Sequence, residues 1–471
     1  MKTVTELEVL RLSKWVRRYE RDGILALYHV LNIDVLYLDA GLGELVSSFQ
    51  YGTTLEHLCT TYPQYADQLS ELIDVLVGQG MVVGFVEDDE ALFTEKKHQA
   101  VLPVGMETMY LLLTDACNLR CSYCFMLDGM PEDYRHSSMN WETAKVAVDM
   151  FFENVRRNPP EYKRSMKVIN FYGGEPLINF RVIRKVVEYV EKTYVAEMEA
   201  TGENFIFSMV TNGTLIDEEI AAYLAAHPKI SLTLSLDGLE WVNDRMRIYK
   251  DGSGTFADVI RGLRLLKAAG RKSISLSCTL DQHNIDHLDQ LLELHREFGF
   301  LSVNLNPLLD TGKSQVSSEY MATMNDRMIQ YFKKARALGL YEDRMMRKVR
   351  PFISKRIHAF DCQATGHQIV CSPDGKLGVC HEGIGMKNYF FAPASSDFDF
   401  HGHAVIREWG ARTPLNMPQC HDCSAIGICG GGCAYGAQLR NGSIWSMDDR
   451  FCLHSLATLE WIIWDIYAQS V

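Results

Sequence analysis

Cys117, Cys121 and Cys124 stand in the run Thr-Asp-Ala-Cys-Asn-Leu-Arg-Cys-Ser-Tyr-Cys-Phe, a C-x3-C-x2-C spacing. Three thiolates this close can hold three irons of a [4Fe–4S] cube and leave the fourth iron open to a small molecule. Zinc is the alternative, but a structural zinc site wants four ligands in two C-x2–4-C pairs, and no fourth ligand follows nearby. A second array lies towards the C-terminus. It runs Cys362-x12-Gly375-x4-Cys380, then Cys420-x2-Cys423-x5-Cys429-x3-Cys433, then Cys452 after a gap. Taken alone, those pairs suit zinc ribbons about as well as iron–sulfur clusters. Cys59 and Cys278 fit neither array and read as buried thiols, the usual fate of free cysteine. Gly173-Gly174-Glu175-Pro176 adds glycines that allow close approach to a ligand. Glu175 there is placed to accept a bond from an ammonium group.

These residues need elements to position them. The strand candidates are 109–114, 168–173, 205–211, 231–237, 273–279 and 302–307, each separated from the next by a helical stretch. Apolar and β-branched runs alternating with helices indicate a parallel sheet. In α/β barrels, sites gather at the C-terminal ends of strands. The cysteine triad follows the first strand, Gly173-Gly174-Glu175-Pro176 the second, Thr211-Asn212-Gly213 the third and Ser235-Leu236-Asp237-Gly238 the fourth. Before this core, residues 1–90 form a first unit. Tyr28–Asp39 reads as two short strands around a polar turn. Leu69, Leu72, Ile73, Leu76 and Val77 make one helical face, closed by Gly78-Gln79-Gly80 and a strand at Met81-Val82-Val83. A charged link, Glu87–Glu90, and the stretch to Pro103 separate the unit from the core at 105–310. A helical bridge at 311–361, a Cys- and Gly-rich domain at 362–455 and a C-terminal helix at 456–471 complete the chain.

The triad followed by the Gly-Gly-Glu-Pro run resembles the radical S-adenosylmethionine (SAM) superfamily. The resemblance implies an α/β fold with a partial (β/α)6 TIM-like barrel. It also implies a [4Fe–4S] cluster whose open iron chelates SAM, and cleavage of SAM to a 5′-deoxyadenosyl radical. By the same resemblance Gly173, Gly174 and Glu175 bind the SAM amino group, and Thr211 and Asn212 end a strand in the SAM pocket. Ser235 and Arg247 reach its ribose or carboxylate, and Tyr123 lies near the adenine. The C-terminal array resembles the SPASM domain, which holds two auxiliary [4Fe–4S] clusters, for three clusters in all. Carried over, Cys420, Cys423, Cys429 and Cys452 bind one, and Cys362, Cys380 and Cys433 the other. Cys371 is the candidate fourth ligand of the latter, unless that iron stays open. The N-terminal unit resembles the PqqD-like winged-helix α+β domain that recognises precursor peptides.

The whole chain therefore resembles a radical SAM–SPASM peptide maturase. The expected reaction is an intramolecular thioether, Cys sulfur to carbon, in a ribosomally made precursor peptide held by its leader. Carbon–carbon cyclophane formation is the rival. An anaerobic sulfatase maturase, making formylglycine, is the runner-up. That family places an Asp base directly after the cysteine equivalent to Cys380, whereas this chain has His381 and Glu382, either of which could substitute. A flavodoxin or ferredoxin is the expected reductant.

The 471 residues imply two to four domains. A net charge of −13 argues against non-specific binding of nucleic acid or an anionic membrane. No apolar run reaches the length of a membrane helix, and the N-terminus is charged and lacks the apolar centre of a signal peptide. The expectation is a cytoplasmic protein whose thirteen cysteines serve metal or redox chemistry rather than disulfides.

Overall fold

The computed structural model describes residues 9–128, 130, 134–309, 317–385 and 388–470. The first eight residues of the N-terminal unit, and 310–316 where the core meets the bridge, lie outside the described residues.

The N-terminal unit holds β1 (Leu10–Leu12), β2 (Val16–Arg21), β3 (Ile24–His29), β4 (Asp34–Asp39) and β5 (Val82–Gly84). β2, β3 and β4 form an antiparallel meander, and β1 pairs with β5. Helix Ala66–Gly78 buries Leu69, Ile73 and Leu76, the face its periodicity predicts. The charged stretch after it differs from expectation. Rather than a link, it opens a helix, Asp89–Ala100. The Asp88 side chain accepts from the Glu90 amide at 2.9 Å, and two acids occupy the first turn, where the helix dipole favours negative charge. Asp89 also ties the helix to the sheet through Arg11 (2.6 Å) and Ser13 (2.9 Å), and Phe93 stacks on Trp15.

The core is a run of parallel strands: β6 (Thr108–Thr114), β7 (Met166–Gly173), β8 (Asn204–Thr211), β9 (Ile230–Ser235), β10 (Ile274–Leu280) and β11 (Ser302–Pro307). All six match the predicted strands within a few residues. β6 is buried along almost its whole length because helices cover one face and the barrel interior the other. β12 (Tyr341–Glu342) continues the sheet beyond β11. On the opposite edge, β13 (Gln368–Cys371) runs parallel to β6, and β14 (Lys376–Gly378) and β15 (Phe390–Pro393) follow antiparallel. The order is β12-β11-β10-β9-β8-β7-β6-β13-β14-β15, with both edges unpaired among the described residues.

The C-terminal segment is therefore continuous with the core sheet rather than a separate layer. Its last helix, Asp449–Ser470, begins ahead of 456 and carries Cys452 in its first turn. One face of β3 and the turn after it pack against this helix and the 415–428 region, through Tyr28, Val30, Ile33, Ile426, Ile463 and their neighbours. Tyr28 stacks on Phe352 at 5.7 Å, and a Cβ on Gly427 would meet the Val30 carbonyl at 2.4 Å. The N-terminal unit is thus seated on the cysteine-rich segment.

Candidate active site

The triad sits on the loop that leaves β6. Its backbone is pinned by the end of β7, where Gly174 donates to the Thr114 carbonyl (2.8 Å) and Glu175 to that of Ala116 (3.0 Å). A Cβ on Gly173, whose φ is +133°, would meet the Thr114 oxygen at 2.2 Å, and one on Gly174 the Ala116 oxygen at 2.3 Å. The two glycines let the second strand end press directly on the cysteine loop. Asn212 at the end of β8 reaches the same loop, donating to Asn118 Oδ1 (2.9 Å) and towards Cys117 Sγ (3.8 Å). Thr211 donates to Glu175 Oε1 (2.6 Å), and the Asn212 amide to Oε2 (2.8 Å). With the Leu177 amide as a third donor (3.0 Å), Glu175 is a buried junction between β7 and β8. Burial pushes its carboxyl up to about 7, against the pull of these donors.

Asp237 is a second junction, and one that pattern reading passed over in favour of Ser235. It accepts from the Tyr123 hydroxyl, from Arg247 Nε (2.8 Å) and Nη2 (3.3 Å), and from the Thr279 amide (2.9 Å). Arg247 lies over the Tyr123 ring at 5.4 Å. Tyr123 and Arg247 are therefore fixed by each other and by Asp237, with Asp237 and Arg247 buried and Tyr123 part-buried. The signal for Asp237 was in the sequence, at the end of the fourth predicted strand.

Most of these groups surround one cavity of about 600 Å³. Its lining includes the triad, Gly173 to Glu175, Thr211, Asn212, Ser235 and Arg247. It also includes His381, Glu382, Cys433 and Arg450 from the C-terminal segment. The two cysteine systems, far apart in the sequence, share a common chamber through the triad and Cys433. His381 stacks on Tyr110 at 4.6 Å, edge-on to Tyr172 at 4.9 Å, and its Nδ1 is buried without a partner. Burial lowers its pKa to about 4.

The C-terminal cysteines fall into two neighbourhoods. Cys452 is surrounded by Cys429, Cys420 and Cys423, and Cys380 by Cys433 and Cys362. Cys371 joins neither. It lies in β13 opposite Leu111, fully buried, with its thiol donating to the Ser372 carbonyl at 3.6 Å. Of the two unassigned thiols, Cys278 is buried and Cys59 half-buried. Arg412 threads between the two neighbourhoods. It is fully buried, donates to the carbonyls of Ile444, Gly431 (2.7 Å) and Ser446 (3.1 Å), and has Cys433, Cys429 and Cys420 close by. Lys348 is also fully buried and binds Asp361 (2.6 Å) and the Cys429 carbonyl.

The donor sets suit iron–sulfur cubes. Burial pushes the thiols of Cys117 and Cys420 up to about 12 and that of Cys121 to about 11, so a bound cation is what would ionise them. Among the described residues, no three His, Cys, Asp or Glu side chains close around a single ion. Ligands of a four-iron cube stand farther apart than those of one ion. No described helix is long and apolar enough to cross a membrane.

Residues 111–295 match the family model of the radical SAM superfamily, which implies a [4Fe–4S] cluster and SAM. The chain is 21% identical over 468 residues to the radical SAM cyclopropyl synthase TigE of Paramaledivibacter caminithermalis, covering 94% of this chain and 93% of that one. Native anSMEcpe with bound AdoMet and the Cp18Cys peptide superposes with a TM-score of 0.61 at 17% identity, over 77% of this chain and 99% of that one. Streptococcus suis SuiB bound to its precursor peptide SuiA gives 0.50 at 14% identity, over 94% and 99%.

Proposed function

We propose, for a chain whose residues 111–295 make it a radical SAM enzyme, the work of a peptide maturase. It forms an intramolecular thioether, cysteine sulfur to carbon, in a ribosomally made precursor peptide. The observation that carries this reading is the single cavity lined both by the triad and by Cys433, Glu382 and His381. A peptide side chain in that space meets both cysteine systems at once. Solved structures of the same fold hold peptides: anSMEcpe the Cp18Cys peptide together with AdoMet, and SuiB its precursor SuiA.

Cys117, Cys121 and Cys124 would hold the cluster that, with SAM and one electron, supplies a carbon-centred radical able to abstract hydrogen. The Gly173–Glu175 backbone and the end of β8 shape the pocket for the amino-acid portion of SAM. Ser235, Tyr123 and Arg247 border its nucleoside portion, and Asp237 keeps the last two in place. Cys420, Cys423, Cys429 and Cys452 would hold a second cluster, and Cys362, Cys380 and Cys433 a third. The two base candidates, His381 and Glu382, both line the cavity; burial keeps the His381 ring neutral at pH 7 and also makes it a weak proton acceptor, and its buried Nδ1 has no hydrogen-bond partner. The N-terminal meander would take the leader by strand addition at an open edge, which raises the local concentration of the core peptide. A flavodoxin or ferredoxin would deliver the electron.

Similarity to TigE along nearly the whole chain favours a second reading, carbon–carbon bond formation. One experiment separates the readings. The anaerobically reconstituted full chain is given SAM, dithionite and synthetic Cys-containing peptides, and the products are read by mass spectrometry and thiol alkylation. A thioether shows as the loss of two hydrogens together with a cysteine that no longer alkylates. The same loss with an alkylatable cysteine makes the product a carbon–carbon link, and a hydrazide-reactive aldehyde makes the enzyme a formylglycine former.

A further inference from the structure

We propose that Glu382 is the fourth protein ligand of the Cys362–Cys380–Cys433 group, closing it with a carboxylate oxygen on the cavity side. The inference rests on the cluster reading above.

Glu382 Oε2 lies 4.0 Å from Cys433 Sγ, and that thiol is the hydrogen-bond partner the structure gives the carboxylate. Glu382 is also the carboxylate that acts most strongly on Cys362, Cys380 and Cys433, which makes it their shared acidic neighbour. It lines the chamber together with Cys433. The two arginines nearest to it are committed elsewhere. Arg450 grips Asp448 through Nε (2.9 Å) and Nη2 (2.5 Å), and Arg344 binds Asn306 Oδ1 (3.2 Å) and Asp361 (3.4 Å). A carboxylate held among three thiols, with no ion-pair partner of its own among the described residues, is costly to desolvate unless a cation binds there. Iron accepts such an oxygen donor alongside sulfur.

The competing ligand is Cys371. Its thiol is spent on the Ser372 carbonyl inside β13, and its acidic neighbour is Asp374 rather than Glu382. Its backbone is fixed by the ladder between β13 and β6.

The test uses the full chain, reconstituted anaerobically, with iron analysis, electron paramagnetic resonance and Mössbauer spectra. Wild type, Glu382→Ala, Glu382→Cys and Cys371→Ala are compared, with far-UV circular dichroism as the check on folding. On mild oxidation, Glu382→Ala is expected to lose one iron from one cluster and show a [3Fe–4S] signal. Glu382→Cys is expected to keep that iron, show no such signal and lower the potential of the same cluster, which also answers any objection that position 382 merely supports the fold. Cys371→Ala is expected to match wild type. Spectra of Glu382→Ala identical to wild type would overturn the proposal, as would the [3Fe–4S] signal arising from Cys371→Ala. A wild-type protein that binds only about four irons overturns it together with the three-cluster reading, and the iron analysis alone distinguishes that failure.

Discussion

The triad and the C-terminal cysteines are two ways of building a thiol site in one chain. The triad is a single loop, 117–124, fixed from outside by the ends of β7, β8 and β9. The C-terminal cysteines span 362 to 452 and interleave, so that Cys429 and Cys433, only four residues apart, belong to different neighbourhoods. The charges around them differ as well. Arg247 beside the triad is matched by Asp237, whereas Arg412 between the C-terminal groups gives its hydrogen bonds to carbonyls, with no carboxylate in direct contact. A site carried on one loop depends on its strand ends. A site assembled across ninety residues depends on the whole segment staying folded.

The largest expected effect breaks one side of this comparison alone. Replacing Cys117, Cys121 and Cys124 together with Ala should abolish formation of 5′-deoxyadenosine and remove about four irons of roughly twelve. Because the loop is anchored by backbone bonds rather than by its thiols, the rest of the chain should keep its fold and its other iron. Product assays and iron analysis on the same sample check this. A loss of all iron would show that the two systems do not fold independently.

The next effect falls on the other side. Lys348 and Asp361 are fully buried partners, and the lysine also holds the Cys429 carbonyl. Lys348→Met leaves Asp361, next to Cys362, without its closest cation. Breaking a buried pair in this way costs about 3–5 kcal/mol. Thermal unfolding should fall accordingly, and iron should be lost from the C-terminal groups before the triad. Retention of wild-type stability would mean that Arg344, 3.4 Å from Asp361, suffices as its partner.

How much of this was legible follows the same division. The triad, the Gly-Gly-Glu-Pro run and all six core strands could be read locally, because thiol spacing and strand patterning are properties of short windows. Asp237 sat in a quoted motif, but its bonds to Tyr123, Arg247 and Thr279 depend on where β9 and β10 end. The acidic run 87–90 resembled a linker because its composition is polar; its alternative meaning, an N-cap with an acidic first turn, was available from the same residues. Neither the separation of Cys371 from its presumed partners nor the approach of Glu382 to them could be seen, since both follow from β13 joining the edge of β6. The seat of the N-terminal unit on Ile426 and Ile463 was equally hidden. It has a practical consequence, because deleting that unit would uncover the apolar flank of the C-terminal groups. A leader-binding role is better tested by substitutions on an open strand edge.

A smaller effect returns to the triad. Gly173→Ala places a Cβ 2.2 Å from the Thr114 oxygen at a φ of +133°. Holding an L-residue there costs on the order of 1–3 kcal/mol, and the strain is relieved by moving the start of the cysteine loop. SAM affinity should drop about tenfold for each 1.4 kcal/mol felt at the pocket, with the C-terminal iron unchanged. Gly427→Ala is the matched control. It crowds the Val30 carbonyl at the seat of the N-terminal unit and should disturb the C-terminal groups instead. Equal losses of SAM affinity in both variants would dissolve the distinction between the two plans.

The smallest effect concerns charge. An enclosed guanidinium stabilises the more negative, reduced state of a nearby cluster, and the benefit survives only where no carboxylate cancels it. Arg412 comes closer to that condition: only carbonyls accept its hydrogen bonds, Cys433, Cys429 and Cys420 are around it, and the carboxylate near it, Asp448, is already gripped by Arg450. Arg247 does not, because Asp237 lies 2.8 Å away. Arg412→Met should therefore lower the potential of at least one C-terminal cluster by on the order of 60 mV, equivalent to a tenfold change in a one-electron equilibrium. Arg412→Lys should hold the potential close to wild type, because the charge is kept although the three-carbonyl fork is lost. Arg247→Met, measured without SAM, should shift the triad cluster by less than Arg412→Met shifts its own, since the substitution removes one half of a neutral pair. Redox titrations followed by electron paramagnetic resonance resolve the clusters separately. A larger shift for Arg247→Met than for Arg412→Met would mean that Asp237 does not cancel the charge of Arg247, and the contrast in charge between the two sites would be lost.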